Sequence, residues 1–237
     1  MKLKEYQKKR HFGVTPEPVG DKKPEGKQQV KPGAPLTYVI QKHLASHLHY
    51  DFRLEWGGAL LSWAVPKGPS LDPSVKRLAM QVEDHPIEYA TFEGVIPKGE
   101  YGAGTVMVWD KGTWVPDDPD VDAALRKGEL KFTLKGRKLK GSWVLVRTRG
   151  YGSSARSAWL LIKHRDQHAS TPDITKEEPY SVLSRRLLAD IARDEGGDVE
   201  KAATGDPIHE SQPRTAGRAK RAKRASAQPL RRRRKAS

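Results

Sequence analysis

Histidines are concentrated in one part of this chain. Three of the eight lie in the stretch QKHLASHLHYDFRLE, which also holds Asp51 and Arg53, and His85 follows further along. Imidazole nitrogens combined with a carboxylate and no sulfur suit Mn, Fe, Co, Ni or Zn better than Ca or Mg, and a guanidinium suits phosphate. These residue types indicate a metal or phosphate site. The alternative is the solvated face of an edge strand, which would ordinarily carry Lys, Thr or Glu.

The element that must position these residues is a β-strand. From Leu48 onward the stretch alternates strictly, with Leu48, Tyr50, Phe52, Leu54 and Trp56 on one side and His47, His49, Asp51, Arg53 and Glu55 on the other. Side chains two apart on a strand share a face and lie roughly 6 to 7 Å apart. His49 and Asp51 can therefore converge on one cation, and His43 can fold over to join them.

Short runs of alternating apolar residues recur between turns rich in Gly and Pro, which is typical of β-strands. Eight such runs predict a mainly β chain, a barrel or a sandwich: TYVIQKH, LHYDFRLEW, LLSWAV, RLAMQVE, GTVMVWD, LKFTLKG, GSWVLVRT and AWLLIKH. Only 121–127 and 179–193 have helical spacing. We expect the second of these helices to dock outside the barrel.

Composition excludes several classes of protein. The chain has no cysteine among its 237 residues, which excludes disulfides, thiolate catalysis, iron–sulfur clusters and cysteine-built zinc sites. No apolar run approaches the roughly 18 residues of a membrane span, and the start MKLKEYQKKR lacks the apolar stretch of a signal peptide. We therefore expect a cytoplasmic protein.

The net positive charge of the chain comes from its two ends. The net charge is +15, yet 36–213 holds 24 basic and 25 acidic residues, whereas 1–35 holds 9 and 4, and 214–237 holds 11 and none. Lys and Arg at a phosphate backbone release condensed counterions, so we expect a nucleic-acid partner, with an anionic membrane surface as the weaker competitor. The low-complexity end is interpreted as a disordered DNA tether; the alternative is a solubilising end.

Beyond these patterns, the sequence resembles a known family. The stretch QKHLASHLHYDFRLE, followed by SWAVPKGPSLDPSVKRLAMQVEDHPIEYATFEGVIPKGEYGAGTVMVWDKGTW, is similar to the 3'-phosphoesterase module of bacterial DNA ligase D, and the similarity runs from about Tyr6 to Arg165. The resemblance implies a compact β-barrel of about eight strands with few short helices. It implies an Mn²⁺ enzyme, with Co²⁺ as another metal, that removes a terminal ribonucleoside and then the exposed 3'-phosphate from DNA ends.

The setting that the resemblance implies is double-strand break repair by end joining. The substrates would be DNA or DNA/RNA 3' ends, and the partners a DNA ligase and an end-bridging factor. We expect a monomer associated with the nucleoid and no membrane contact.

The resemblance also assigns residues, each at a position that matches the family pattern. The metal ligands fall on His43, His49 and Asp51, whereas His47 matches no ligand and is expected at the surface. The residues that act on the phosphate fall on Arg53, His85 and Tyr89, with Glu83 beside them. Further phosphate-binding positions are Arg10, Glu17, Lys67 and Arg77.

The same residues have plainer interpretations when the resemblance is set aside. Arg53 can pair with Glu55 or Asp51, and His85 before Pro86 can cap a turn. Tyr89 can be core packing, and a Lys in a Gly-Pro turn is commonly solvated.

The expected domain organisation has four parts. Residues 1–35 form a basic segment that folds over the active site, 36–168 the barrel, 169–200 a linker and helix, and 201–237 the disordered tail, and the site is expected at the barrel mouth. The family usually has Asp after the Arg that matches Arg10, and this chain has His11. We therefore expect 3'-phosphate removal to survive better than ribonucleoside removal.

Signatures of the ligase and polymerase modules are absent from the sequence. There is no Lys-x-Asp-Gly, GEYGAGT lacks the Lys-Ser or Lys-Thr of a P-loop, and the acidic run DDPDVD is expected in a solvated loop. The chain is thus expected to act as a stand-alone end-healing enzyme. The rival interpretations are a non-catalytic 3'-end-binding or scaffolding protein and a general metal nuclease that cleaves within strands.

Overall fold

The computed structural model describes residues 3–20, 36–148 and 157–207. Its main feature is one antiparallel sheet of nine strands. In chain order these are β1 (Leu36–Leu44), β2 (Leu48–Trp56), β3 (Ala59–Val65), β4 (Lys76–Gln81), β5 (Gly94–Ile96), β6 (Gly104–Pro116), β7 (Glu129–Gly136), β8 (Lys140–Arg147) and β9 (Ala158–Lys163).

Eight of these strands close into a barrel. The order is β1-β2-β3-β4-β9-β8-β7-β6, and a pairing between β1 and β6 completes the ring, while β5 pairs only with β6. The predicted barrel is therefore confirmed over the sandwich, and each of the eight apolar runs forms one of its strands. The sequence missed β5 because three residues are too few to show an alternation.

Side chains of β1 alternate between two apolar clusters. Tyr38 and Ile40 belong to the large cluster inside the barrel, whereas Val39 packs with Leu60 and Tyr89 in a smaller one. Since successive residues of a strand point to opposite faces, the smaller cluster lies on the outer wall. Five fully buried tryptophans fill the interior: Trp63, Trp109, Trp114, Trp143 and Trp159. The interior therefore has no room for chemistry, and the polar face of β2 must point outward.

Helices are short and peripheral. They are α1 (Lys4–Lys8), α2 (Val121–Lys127), α3 (Ile174–Glu177), α4 (Leu188–Asp194) and α5 (Val199–Ala203), together with a 3₁₀ helix at Ile87–Thr91. The bounds of α2 agree with the prediction, because Asp120 caps its start and Gly128, with φ of 87°, ends it. No helix of the described residues has the length and hydropathy needed to cross a membrane.

The helix predicted over 179–193 is wrong in its first half. Ser181 instead organises a turn, because its hydroxyl accepts from the backbone N–H groups of Leu183 and Ser184, and Arg185 has a φ of 63°. The helical spacing is real only from Leu188 onward. The helix that does form, α4, is peripheral as expected, and its Leu188, Ile191 and Ala192 pack against the large apolar cluster.

The C-terminal segment is attached by a buried ion pair. Asp206 accepts from the backbone N–H groups of Leu188 and Ala189 at the start of α4, and it lies 3.3 Å from Nζ of Lys42 in β1. The expected boundary at residue 200 therefore falls within α5. Residues 21–35 of the expected N-terminal segment and 208–237 of the expected tail lie outside the described residues.

Candidate active site

Three side chains that could hold a metal ion lie together on the outer wall of the barrel, and we call them the metal-binding group. His43 and His49 are direct cross-strand partners in the β1–β2 hairpin, and Asp51 follows two residues later. One ligand atom from each lies within 4.8 Å of the others. No other group of three or more His, Asp or Glu residues in the described part of the chain is placed so that it could hold a metal ion. The hairpin register, and not a fold-over of the chain, brings His43 to the pair. The expected place at the barrel mouth is wrong, because odd-numbered residues of β1 and β2 face outward.

The protonation of both imidazoles is set by backbone carbonyls. Nε2 of His43 lies 2.8 Å from the Gly102 carbonyl oxygen, and Nδ1 of His49 lies 3.0 Å from that of His47. Because a carbonyl only accepts, each of these nitrogens carries the proton. The other nitrogens, Nδ1 of His43 and Nε2 of His49, are each 3.6 Å from an oxygen of Asp51. Two lone pairs and a carboxylate thus point at one spot, which fits a divalent transition metal.

Asp51 is buried and carries a negative charge. Burial alone would raise its pKa, but the charge of Arg53 favours the ionised form, and the net result is a pKa well below its ordinary value. Nη2 of Arg53 donates to Oδ2 of Asp51 at 3.1 Å. The carboxylate is therefore available as a metal ligand at any physiological pH.

Arg53 is the most connected side chain of the site. Besides Asp51, Nε donates to Gln41 at 2.8 Å, and Nη1 lies 2.8 Å from both Ser62 Oγ and His85 Nδ1. A guanidinium has five N–H groups, so these four contacts leave one without a partner among the described residues. Of the two carboxylates that the sequence offered as partners of Arg53, Glu55 and Asp51, it is Asp51 that makes the contact. Arg53 thus orients its neighbours and can offer a phosphate a single N–H, which is less than a bidentate fork.

His85 lies between two guanidinium groups. Nδ1 faces Arg53, and Nε2 lies 3.3 Å from Nη2 of Arg10. Burial, then Arg53 and Arg10, lower the pKa of His85 well below its ordinary value. The ring is therefore neutral in the free protein, and the charges of the two guanidinium groups beside it are balanced by Glu17 and Asp51.

The N-terminal segment supplies the far wall of the site. Nε of Arg10 donates to Oε1 of Glu17 at 2.9 Å, and Thr15 donates to the other oxygen at 3.0 Å. The hydroxyl of Tyr89 donates to Oε1 of Glu17 at 2.8 Å. Burial and the charge of Glu17 raise the pKa of Tyr89 well above its ordinary value, so the phenol keeps its proton. Glu17 therefore holds Arg10 and Tyr89 and is directed away from a phosphate.

The remaining predicted residues divide into two groups. Glu83 pairs with Lys9 at 3.1 Å and lies 3.6 Å from Arg10, which makes it a support for these cations. A cavity of about 160 Å³ is lined by the metal-binding group together with Arg10, Arg53, Glu83, His85, Tyr89 and Tyr101. Lys67 and Arg77 are not among its lining residues: Lys67 is exposed in the turn after β3, and Arg77 lies on β4 opposite Leu161.

Two further histidines lie near the site without entering it. His47 is exposed in the β1–β2 turn, where the sequence placed it. The ring of His11 is 81% exposed and its Nδ1 lies 3.2 Å from Glu100. His11 thus faces solvent and a carboxylate of the β5–β6 loop.

Sequence reasoning missed three contributors. Gln41 holds Arg53 and also donates to the carbonyls of Tyr89 and Phe92, Ser62 contacts Arg53, and the Gly102 carbonyl holds His43. Gln41 is two residues before His43, and Ser62 is a lone polar residue in the apolar run LLSWAV. Both could have been found from strand alternation. Gly102 gave no signal, because its contribution is a backbone atom.

A larger cavity, of about 810 Å³, lies between β5 and the start of β6 on one side and 195–202 on the other. Its charged residues include Glu93, which is engaged with Ser181 and Arg186, and Asp198, which caps α5. Ile96 lines both this cavity and the smaller one. Metal-binding side chains and buried guanidinium groups converge only on the smaller cavity of the two.

Comparison with known proteins identifies related domains. Residues 41–147 match the family model described as DNA Ligase D 3'-phosphoesterase domain. The multifunctional non-homologous end joining protein LigD of Pseudomonas aeruginosa is 55% identical over 190 residues, which are 78% of this chain and 22% of the relative.

Two mycobacterial relatives are similar in the same way. The multifunctional non-homologous end joining DNA repair protein LigD of Mycobacterium tuberculosis is 46% identical over 170 residues, 70% of this chain and 20% of the relative. The LigD protein of Mycolicibacterium smegmatis is 41% identical over 181 residues, 73% and 22%. The chain spans about a fifth of the length of these curated relatives.

Proposed function

The chain belongs to the family of DNA ligase D 3'-phosphoesterase domains, and on that premise we propose that it is a metal-dependent enzyme that heals DNA 3' ends during double-strand break repair by end joining. The proposed reactions are hydrolysis of a terminal 3'-phosphate and removal of a 3'-terminal ribonucleoside. The observation that carries the proposal is the convergence of three metal-binding atoms within 4.8 Å beside a cavity with two buried guanidinium groups.

The metal would be held by Nδ1 of His43, Nε2 of His49 and a carboxylate oxygen of Asp51. A divalent cation with such a ligand set polarises a phosphoryl oxygen and lowers the pKa of bound water. We propose Mn²⁺, with Co²⁺ as a substitute. The contacts of Gly102 and His47 fix the two rings in the required tautomers before any ion arrives.

Arg10 and Arg53 supply the positive charge for the phosphate. Both guanidinium groups are almost fully buried, where a charge acts with little screening by water. Their contacts with Glu17, Asp51 and Gln41 hold them in place, so little reorganisation is needed when a phosphate enters. Tyr89 completes this wall through Glu17 and lies under Arg53, whose Cζ is 5.0 Å from the ring centroid.

His85 is the proposed proton donor to the leaving oxygen. Its pKa is low in the free protein through burial and the two guanidinium groups. A bound phosphate offsets the charge of both, which favours the doubly protonated ring, whose Nδ1–H can donate to the Glu83 carbonyl at 2.9 Å and whose Nε2–H faces the cavity. The ring can then give this proton to the departing sugar oxygen.

The deciding experiment measures turnover on a defined end. A 3'-phosphorylated primer annealed to a longer template is incubated with the full chain and Mn²⁺, Co²⁺, Zn²⁺ or Mg²⁺, and a second primer carries a single 3'-terminal ribonucleoside. We expect many turnovers to a 3'-hydroxyl with Mn²⁺, and a loss of at least about 100-fold in His49→Ala. His47→Ala is the matched control, since this exposed histidine belongs to the same stretch and should not matter.

Two other outcomes would contradict the proposal. Tight binding of the 3'-phosphate without turnover in any metal would indicate the non-catalytic end-binding or scaffolding role. Cleavage within the strands would indicate a general metal nuclease.

A further inference from the structure

One aromatic side chain at the site is exposed where the fold gives it no packing role. Tyr101 has 49% of its surface exposed, and no other aromatic residue of the described part of the chain is exposed to this extent. Exposing an aromatic ring forgoes the gain from burying it. On proteins that bind single-stranded nucleic acid, such rings beside basic residues commonly stack on bases.

The loop that carries Tyr101 fixes the ring at the rim of the active-site cavity. Tyr101 lines this cavity and directly precedes Gly102, whose carbonyl holds the metal-binding His43. Gly99, Gly102 and Gly104 all have positive φ, and a Cβ on Gly102 would lie 3.6 Å from Cε1 of His43. Tyr101 is therefore the sequence neighbour of Gly102, which contacts His43 of the metal-binding group.

Two cations lie over the ring. Nζ of Lys9 lies 4.6 Å from the centroid of Tyr101, and Cζ of Arg10 lies 5.7 Å from it. Lys9 is held there by Glu83. An aromatic surface between a phosphate pocket and two basic side chains matches a nucleotide, whose base and phosphate need these two environments side by side.

From this arrangement we propose that Tyr101 is a stacking platform for the base of the nucleotide whose 3'-oxygen carries the scissile phosphate. This nucleotide is common to both proposed reactions, and the inference rests on the proposed function for the identity of the phosphate. The nucleotide's phosphate lies in the cavity and its base on the ring. Tyr101 thereby selects nucleic-acid ends over phosphate esters without a base, whatever the base sequence.

The test is a binding measurement without metal, so that no hydrolysis occurs. Two 3'-phosphorylated oligonucleotides are compared by fluorescence anisotropy with the full chain: one with a base in the terminal nucleotide and one with a tetrahydrofuran abasic residue there. The wild type should prefer the first by about 5- to 100-fold, the range that stacking of one base supports. Tyr101→Ala should bind both alike, whereas Tyr101→Phe should retain the preference.

Leu78→Ala is the matched control, because Leu78 is an apolar residue of similar exposure on β4 outside the cavity. It should leave the preference intact. Equal binding of the two oligonucleotides by the wild type, or a preference that persists in Tyr101→Ala, would overturn the inference. The two proposals fail separately. A preference for the oligonucleotide with a terminal base that depends on Tyr101, without turnover in any metal, would contradict only the enzymatic function. Turnover without that preference would contradict only the stacking role of Tyr101.

Discussion

The two sides of the active-site cavity are built in different ways. The metal-binding group comes from one hairpin, in which His43, His49 and Asp51 are brought together by strand register and alternation. The phosphate-binding side is assembled from the N-terminal segment, β2 and the residues before and within the 3₁₀ helix. Arg10 meets His85 across 75 positions of the chain, and Tyr89 meets Glu17 across 72.

This difference separates two kinds of dependence. The hairpin holds its ligands through backbone pairing, so the loss of either histidine ligand should weaken metal binding and leave the fold. The phosphate-binding side is held by buried charges that neutralise one another, so the loss of one partner should destabilise the segment that it anchors. The predictions below test that separation, from the largest expected effect to the smallest.

His49→Gln should weaken metal binding most. Loss of one imidazole ligand should lower Mn²⁺ affinity by at least about 100-fold, as measured by isothermal titration calorimetry, while the hairpin keeps its pairing. Glu17→Gln should leave the affinity close to that of the wild type. A similar loss of affinity in both variants would show that the two sides are not separate.

Glu17→Gln should instead lower stability. It leaves the buried guanidinium of Arg10 with only the more distant Glu83, at 3.6 Å, as a charge partner, and the exposed fractions of the Arg10 and Glu17 side chains are 3% and 0%. Breaking such a pair costs about 3 kcal/mol or more in the free energy of unfolding, which urea denaturation measures. Glu129→Gln removes a carboxylate from an exposed pair with Lys131 and serves as the matched control with no expected change. An unchanged midpoint in Glu17→Gln would mean that the ion pair does not anchor the segment.

His11→Asp restores the residue that the family usually has after the matching Arg. We expect the ratio of ribonucleoside removal to 3'-phosphate removal to rise by about tenfold or more, since a carboxylate supplies a negatively charged hydrogen-bond acceptor that an imidazole does not. The two rates are compared on matched primers with the same metal. A ratio that falls, or stays constant, would contradict the assignment of His11 as the cause of a weak diester step.

Stability should fall as the pH decreases below the ordinary histidine pKa of about 6.5. Because the folded-state pKa of His85 is lower, the unfolded chain binds a proton there that the folded chain does not, and the free energy of unfolding decreases by at most about 1.4 kcal/mol per pH unit for this group. Thermal unfolding in EDTA between pH 7 and pH 5 measures the slope.

His85→Gln should make that slope shallower. Part of it should remain, because burial also lowers the pKa of His49. His47→Gln, at an exposed position, should not alter it. A slope that is the same in all three proteins would contradict the role given to His85.

Deletion of 214–237 should affect neither side of the cavity. This stretch has 11 basic and no acidic residues, so its loss should weaken DNA binding more at low salt than at high salt, as counterion release requires. Hydrolysis of a small aryl phosphate should be unchanged. An equal loss of binding at all salt concentrations would contradict the tether.

The sequence predicted what depends on local periodicity. Alternation along β2 placed His49 and Asp51 on one face, and helical spacing gave α2 its bounds of 121–127. The sequence offered Asp51 as a partner of Arg53, but it could not predict the contacts with Gln41 and Ser62, because these depend on which strands become neighbours. It also overextended the C-terminal helix, since the turn at Ser181 is made by side-chain hydrogen bonds that leave the apolar spacing intact.

The strand that closes the barrel also carries a metal-binding residue. β1 pairs with β2 on one edge and with β6 on the other, and His43 takes part in both pairings. An ion bound there would stabilise the pairing of β1 with both neighbouring strands: each tenfold excess of ion over its dissociation constant would add about 1.4 kcal/mol to the free energy of separating β1 from the sheet. Amide hydrogen exchange along β1 would then slow as ion is added, so a bound ion would contribute to the stability of the closed barrel.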